Sequence, residues 1–126
     1  MTTTTIAYIV AGFIAAAIIL IGARFILAPR VAAAGYGVPM ALDAPSDRAY
    51  ASVKGVRDIA SGLFVVILMI AGATHLLGWT IMAATIVPLA DAAIVLRNGG
   101  AKSIALGVHG LTAVVMLITS ALLLIS

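Results

Sequence analysis

Four apolar runs leave this chain little choice of solvent. Residues 6–28 carry one charge, Arg24, near their end; residues 53–72 turn purely apolar after Gly62; residues 76–96 are interrupted by Pro88 and Asp91; and residues 103–125 hold a single histidine and no charge. A helix needs roughly 20 apolar residues to cross a hydrocarbon core. The hydrophobic fraction of 64% stands far above the roughly 45–50% of soluble globular domains, and the mean hydropathy of +1.29 agrees. The expected fold is therefore all-α: a single integral membrane domain over residues 1–126, built as a four-transmembrane-helix bundle with antiparallel up-down topology.

Punctuation along the chain supports that division. Pro29 removes a backbone donor and stops the first run. Residues 29–52 hold Pro29, Pro39, Pro45 and the Gly35-Tyr36-Gly37 turn signal, so they read as one cytoplasmic loop, with Ser46 expected to cap a helix starting at Asp47. Ala73 to Leu77 leaves space only for a tight reversal, which makes the second and third spans a hairpin. Arg97-Asn98-Gly99-Gly100 supplies a basic last turn and a glycine stop. The small residues Ala32 to Ala34 resemble a cleavage site, but no Lys or Arg precedes the first run, so it reads as an uncleaved anchor.

Charge fixes the orientation. All seven Lys and Arg residues lie in or beside the first and third loops, and the second loop and the termini have none. The positive-inside rule then puts loops one and three in the cytoplasm and both termini outside, in a multi-pass protein of a bacterial-type plasma (inner) membrane. This pattern also explains the net charge of +3 without nucleic acid as a partner. Tyr8, His75 and Trp79 fall on the outer side as interfacial belt residues. The absence of cysteine excludes disulfides, thiolate catalysis and Cys-ligated metal, and leaves the redox compartment open.

Within the spans the ionisable groups share a layer. Arg24, Asp58, Asp91 and His109 stand about four to seven residues from the inner helix ends, a depth of roughly 6–10 Å at about 1.5 Å per residue. Such groups are costly in hydrocarbon, face the bundle interior and find partners. Lys54, Arg57, Asp58, Ser61 and Gly62 share one side of the second span, with Lys54 and Asp58 at ion-pair spacing. Thr80, Ala84, Pro88, Asp91 and Val95 line a face of the third, and His109, Thr112, Ala113, Met116 and Ser120 one of the fourth. These stripes predict a common polar pocket: Asp91 paired with Arg57 or His109, and a cavity running toward Thr112, Met116 and Val65. Arg24 shares its face with Leu20, Ala17 and Phe13 and joins the cluster more loosely; as a membrane anchor it belongs with Arg30, Lys54 and Lys102.

The residue types exclude several chemistries. Asp91 with His109 offers too few ligands for a metal, no cofactor motif is present, and Gly35-Tyr36-Gly37 lacks the lysine and helix of a phosphate loop. Small four-helix multidrug exporters carry an acidic residue in the first span, where this chain has only Arg24. Three readings stay open. The chain binds a small amphipathic molecule, lipid- or quinone-like, at Arg57, Asp58, Asp91, His109, Lys54 and Arg24; or it is a membrane-embedded enzyme (isomerase, cyclase or cofactor-free oxygenase) with Asp91 and His109 as the catalytic acid/base pair; or it is a proton-coupled transporter working as a homodimer. Membrane lipids, a lipophilic ligand and a second copy are the partners these readings imply. Structural ion pairing that merely fixes helix register accounts for the same residues.

Ile21 to Pro39 (IGARFILAPRVAAAGYGVP), Val53 to Gly62 (VKGVRDIASG) and Pro88 to Gly110 (PLADAAIVLRNGGAKSIALGVHG) together resemble domain-of-unknown-function family 4267, small uncharacterised four-helix membrane proteins. The resemblance implies the fold and a membrane location and brings no activity with it. It picks out Arg24, Arg30, Lys54, Arg57, Asp58, Asp91, Arg97 and His109.

Overall fold

Prolines and glycines divide the chain into its helices. A computed structural model describes residues 1–126, all helix and turn with no strand. Helix α1, Thr3–Leu27, opens with the Thr2 side chain accepting the Thr5 N–H at 3.1 Å and ends where Pro29 can no longer donate. Pro29 instead begins α2, Pro29–Tyr36, whose first turn suits proline's fixed φ. Gly37 terminates α2 in the left-handed region, at φ 107°.

The expected loop over residues 29–52 is therefore mostly helical. Only residues 37–44 are irregular, because α3 runs Pro45–Ile70. Ser46 is not the cap. Proline again takes the first helical position, which leaves Ser46 inside the helix, and the Asp47 carboxylate accepts the Ala44 N–H at 3.2 Å.

After a turn at residues 71–73, α4 (Thr74–Ala84) and α5 (Ile86–Arg97) form one interrupted rod. The break at Thr85 follows from Pro88, which has no N–H for the Ala84 carbonyl; the Thr85 hydroxyl donates to the Ile81 carbonyl at 2.9 Å beside it. The last rod, Lys102–Leu124, comprises α6 (Lys102–Ile104), a π turn over Ala105–Gly110, and α7 (Leu111–Leu124).

Three helical stretches, Thr3–Leu27, Thr74–Arg97 and Lys102–Leu124, are long and apolar enough to cross a membrane. The fourth long helix, α3, carries Asp47, Arg48, Lys54, Arg57 and Asp58 up to its middle and no charge after Asp58. Counting α2, the chain has five helical stretches.

Helices α1 and α3 touch backbone to backbone. A Cβ on Gly22 would strike the Gly55 carbonyl, a Cβ on Gly55 would strike that of Gly22, and a Cβ on Gly62 would meet the Ala15 carbonyl at 2.9 Å. The matched spacing, rising on α1 and falling on α3, makes the pair antiparallel. Close approach through small residues is how helices associate where hydrocarbon removes the hydrophobic drive. Ala7, Ala11 and Ala15 of α1 meet Val65, Leu77, Ile81, Met116 and Leu123 in the main core. A second cluster, Phe25, Ala32, Ala33 and Ala51 with Tyr36 and Met40 against it, seats α2 at the basic end. Outside, Phe13, Leu20, Phe64, Ile67 and Ile86 are exposed, an apolar exterior suited to lipid.

Candidate functional site

The site is built by the docking of α2. Gly37 lies so close to the third and last rods that a Cβ there would come within 2.9 Å of Val95 and 3.0 Å of Ile104. Close approach and positive φ together require glycine at this corner. Tyr36, one residue earlier, is thereby pressed against α5 and the π turn.

Three polar contacts follow. The Tyr36 hydroxyl donates to Asp91 Oδ1 at 2.8 Å. His109 Nε2 lies 2.8 Å from the Tyr36 backbone carbonyl, and His109 Nδ1 lies 3.9 Å from Asp91 Oδ2. A carbonyl can only accept, so Nε2 carries the proton and Nδ1 is the position at which His109 can take up another, facing the carboxylate. The Tyr36 and His109 rings stand 4.8 Å apart, tilted by 58°. His109 itself sits in the π turn Ala105–Gly110, between exposed Val108 and half-buried Gly110. Turns of this kind shift the register of everything before them, and they concentrate at functional positions.

Lys54 and Asp58 form the other half. Their ion pair measures 2.8 Å at the expected i,i+4 spacing, and the ammonium stands 4.6 Å from the Phe25 ring centroid and 5.4 Å from that of Tyr36, within cation–π range. Phe25 meets Tyr36 edge to face at 6.4 Å. Tyr36 thus stands between the Lys54–Asp58 ion pair and the Asp91–His109 contact. Burial, the hydrogen bond to Asp91 and the nearby Asp91 and Asp58 charges hold its phenol well above the ordinary tyrosine range.

Of the residues singled out from sequence, Asp91, His109, Lys54 and Asp58 gather around Tyr36. Arg57 does not: it is exposed and makes no ion pair. Adjacent helical residues diverge by roughly 100°, so with Asp58 turned inward Arg57 turns out. Arg24 is exposed and reaches the cluster only as the rim of a cavity. That cavity, about 200 Å³, opens between the end of α1, α2 and the π turn, with Ile21, Phe25, Val31, Tyr36, Val108 and His109 in its walls.

It takes a different course from the one expected. Val65 and Met116 are packed in the main core, while Thr112 is exposed and donates back to the Val108 carbonyl at 2.6 Å. Tyr36 is the member that sequence reasoning missed. A tyrosine between two glycines reads as a turn, and only the tertiary docking of Gly37 turns it inward.

The profile of a family described as a domain of unknown function (DUF4267) matches residues 15–123. The chain belongs to the DUF4267 family. Every residue of the cluster, from Phe25 to His109, falls inside the matched region, so the polar end of the helices is part of the DUF4267 domain. No curated protein and no solved structure matches the chain.

Proposed function

We propose that this DUF4267 protein is a four-span plasma-membrane protein, with both termini outside, that seats a small amphipathic molecule at its cytoplasmic end. The observation carrying the reading is the cavity beside Tyr36 and His109: mostly apolar, edged by one cation, Arg24, and bordered by the lipid-exposed Ile21, Val31 and Val108. Its volume of about 200 Å³ is below the roughly 300–1,000 Å³ of sites that engulf a ligand. It fits a head and its first carbons, with the remaining tail lying along Val31 and Val108 in hydrocarbon.

The head is lipid- or quinone-like and accepts hydrogen bonds. Both His109 nitrogens face groups of the protein, and the Tyr36 hydroxyl is given to Asp91, so Arg24 is the donor left to meet it. The flat faces of Phe25, Tyr36 and His109 suit a conjugated or planar group. Lys54, Asp58, Asp91 and His109 then hold Tyr36 and α2 in position, and Arg57 takes no part.

Organic extraction of the protein purified in mild detergent, followed by mass spectrometry, tests this. A lipophilic compound retained by the wild type and by Arg57→Gln, and lost from Arg24→Gln and Val108→Trp with helicity intact, is expected; equal retention by all four sinks the proposal.

A second reading, an acid/base enzyme on a hydrophobic substrate, is favoured by the placement of His109 in a π turn at the cavity wall with Asp91 behind it. It requires Asp91→Asn to bind the compound and fail to transform it. A transporter reading needs a path between two copies, because Val65, Ile81 and Met116 fill the interior of one.

A further inference from the structure

A second cavity, of about 380 Å³, lies on the other side of Val31, where α2 begins and α3 has just begun. Two arginines line it, Arg30 from the first turn of α2 and Arg48 from that of α3. The carboxylates within 4.0 Å of a basic side chain are Asp58, at Lys54, and Asp91, at His109, so neither guanidinium is neutralised by a carboxylate. Arg30 donates one bond, to the Ala41 carbonyl at 3.2 Å. That bond fixes the side chain and leaves most of its fork unspent. Arg48 has no side-chain partner. The nearest acid in sequence, Asp47, is engaged by the Ala44 N–H.

We propose that Arg30 and Arg48 form a binding site for a phosphate mono- or diester, separate from the seat at Tyr36. Paired guanidiniums match phosphate oxygens in geometry as well as charge. Leu42 lines the cavity too and is the only non-glycine residue at positive φ, 60°; such backbone conformations gather at ligand clamps.

The ester has two sources, a phospholipid headgroup or a free phosphate compound. The remaining wall favours the first, since Leu27 is an exposed apolar residue on which an acyl chain can lie.

Native mass spectrometry of the detergent-solubilised protein, titrated separately with phosphatidylglycerol, phosphatidylcholine and inorganic phosphate, tests the site. Phosphatidylglycerol is expected to bind roughly tenfold more tightly than phosphatidylcholine, and each of R30Q and R48Q to lose roughly tenfold in that binding, as the loss of one charge-assisted contact implies. R57Q, with its charge on another face, is expected to behave as wild type. If the two lipids bind alike while inorganic phosphate binds to the wild type and not to R30Q or R48Q, the source is a free phosphate. Should R30Q unfold through loss of its bond to the Ala41 carbonyl, R48Q decides alone. Phosphatidylglycerol and phosphate binding unchanged in R48Q overturns the proposal.

Discussion

Tyr36 and Asp91 stand 55 positions apart in the chain and meet in a hydrogen bond of 2.8 Å. One group lies on a short helix outside the long rods and the other on the third rod, so the contact ties α2 to the remainder of the molecule. Its removal leaves a half-buried carboxylate without its donor. Tyr36→Phe is expected to lower the unfolding free energy in detergent by about 1–3 kcal/mol. A double-mutant cycle with Asp91→Ala checks the origin: a coupling above about 0.5 kcal/mol assigns the loss to this bond, and strict additivity assigns it elsewhere.

The raised pKa of Tyr36 has a fixed sign in stability. Its phenol stays protonated in the folded protein at pH values where the unfolded chain has begun to lose that proton. The stabilising contribution is thus whole below the ordinary tyrosine pKa of about 10 and is lost as pH rises above it. Ultraviolet titration of the wild type against Tyr36→Phe should show the variant lacking one tyrosinate equivalent, which in the wild type appears only as helicity falls. Appearance of that equivalent in the wild type while its helicity is still intact would contradict the burial.

Glycines separate packing from backbone freedom. Gly22→Ala drives a methyl group into the Gly55 carbonyl and is expected to cost about 1–3 kcal/mol. Gly35→Ala meets nothing within 4 Å and, lying within α2, is expected to stabilise by about 0.5–1 kcal/mol. Thermal unfolding followed by circular dichroism compares the two; similar midpoints would refute the α1–α3 contact.

Orientation is checked with single cysteines, since the chain has none of its own. Thr3→Cys and Ser126→Cys are expected to react with an impermeant thiol reagent in intact cells, and Ala44→Cys only after lysis. Labelling of Ala44→Cys alone in intact cells would invert the topology.

Much of this architecture is written in local chemistry, and the site only in part. Pro29 and the Gly99-Gly100 pair announce helix ends, and the spacing of Lys54 and Asp58 announces their ion pair, because each depends on neighbours a few residues away. Asp91 and His109 could be matched by their shared distance from the ends of their apolar runs, which survives any packing of the rods. The helical character of residues 29–36 could not be read, because three alanines between proline and glycine fit a loop as well as a helix, and the choice falls to the contact of Gly37 with Val95 and Ile104. The π turn at His109 was hidden for a similar reason: the residues around it keep the ordinary helical periodicity, and the extra residue shows only in the hydrogen bonds. His109, Ala113, Met116 and Ser120 of the expected stripe are buried, and only Thr112 faces outward.

The central claim is that an amphipathic molecule sits beside Tyr36 and His109. Photo-crosslinking in membranes with a fatty-acid analogue carrying the reactive group close to its head, followed by peptide mapping, addresses it directly. Adducts confined to the segments around Ile21 to Phe25, Val31 to Tyr36 and Val108, and abolished by Val108→Trp, are the predicted result. Adducts spread over the exposed Phe13, Phe64 and Ile86, unchanged by that substitution, would contradict it.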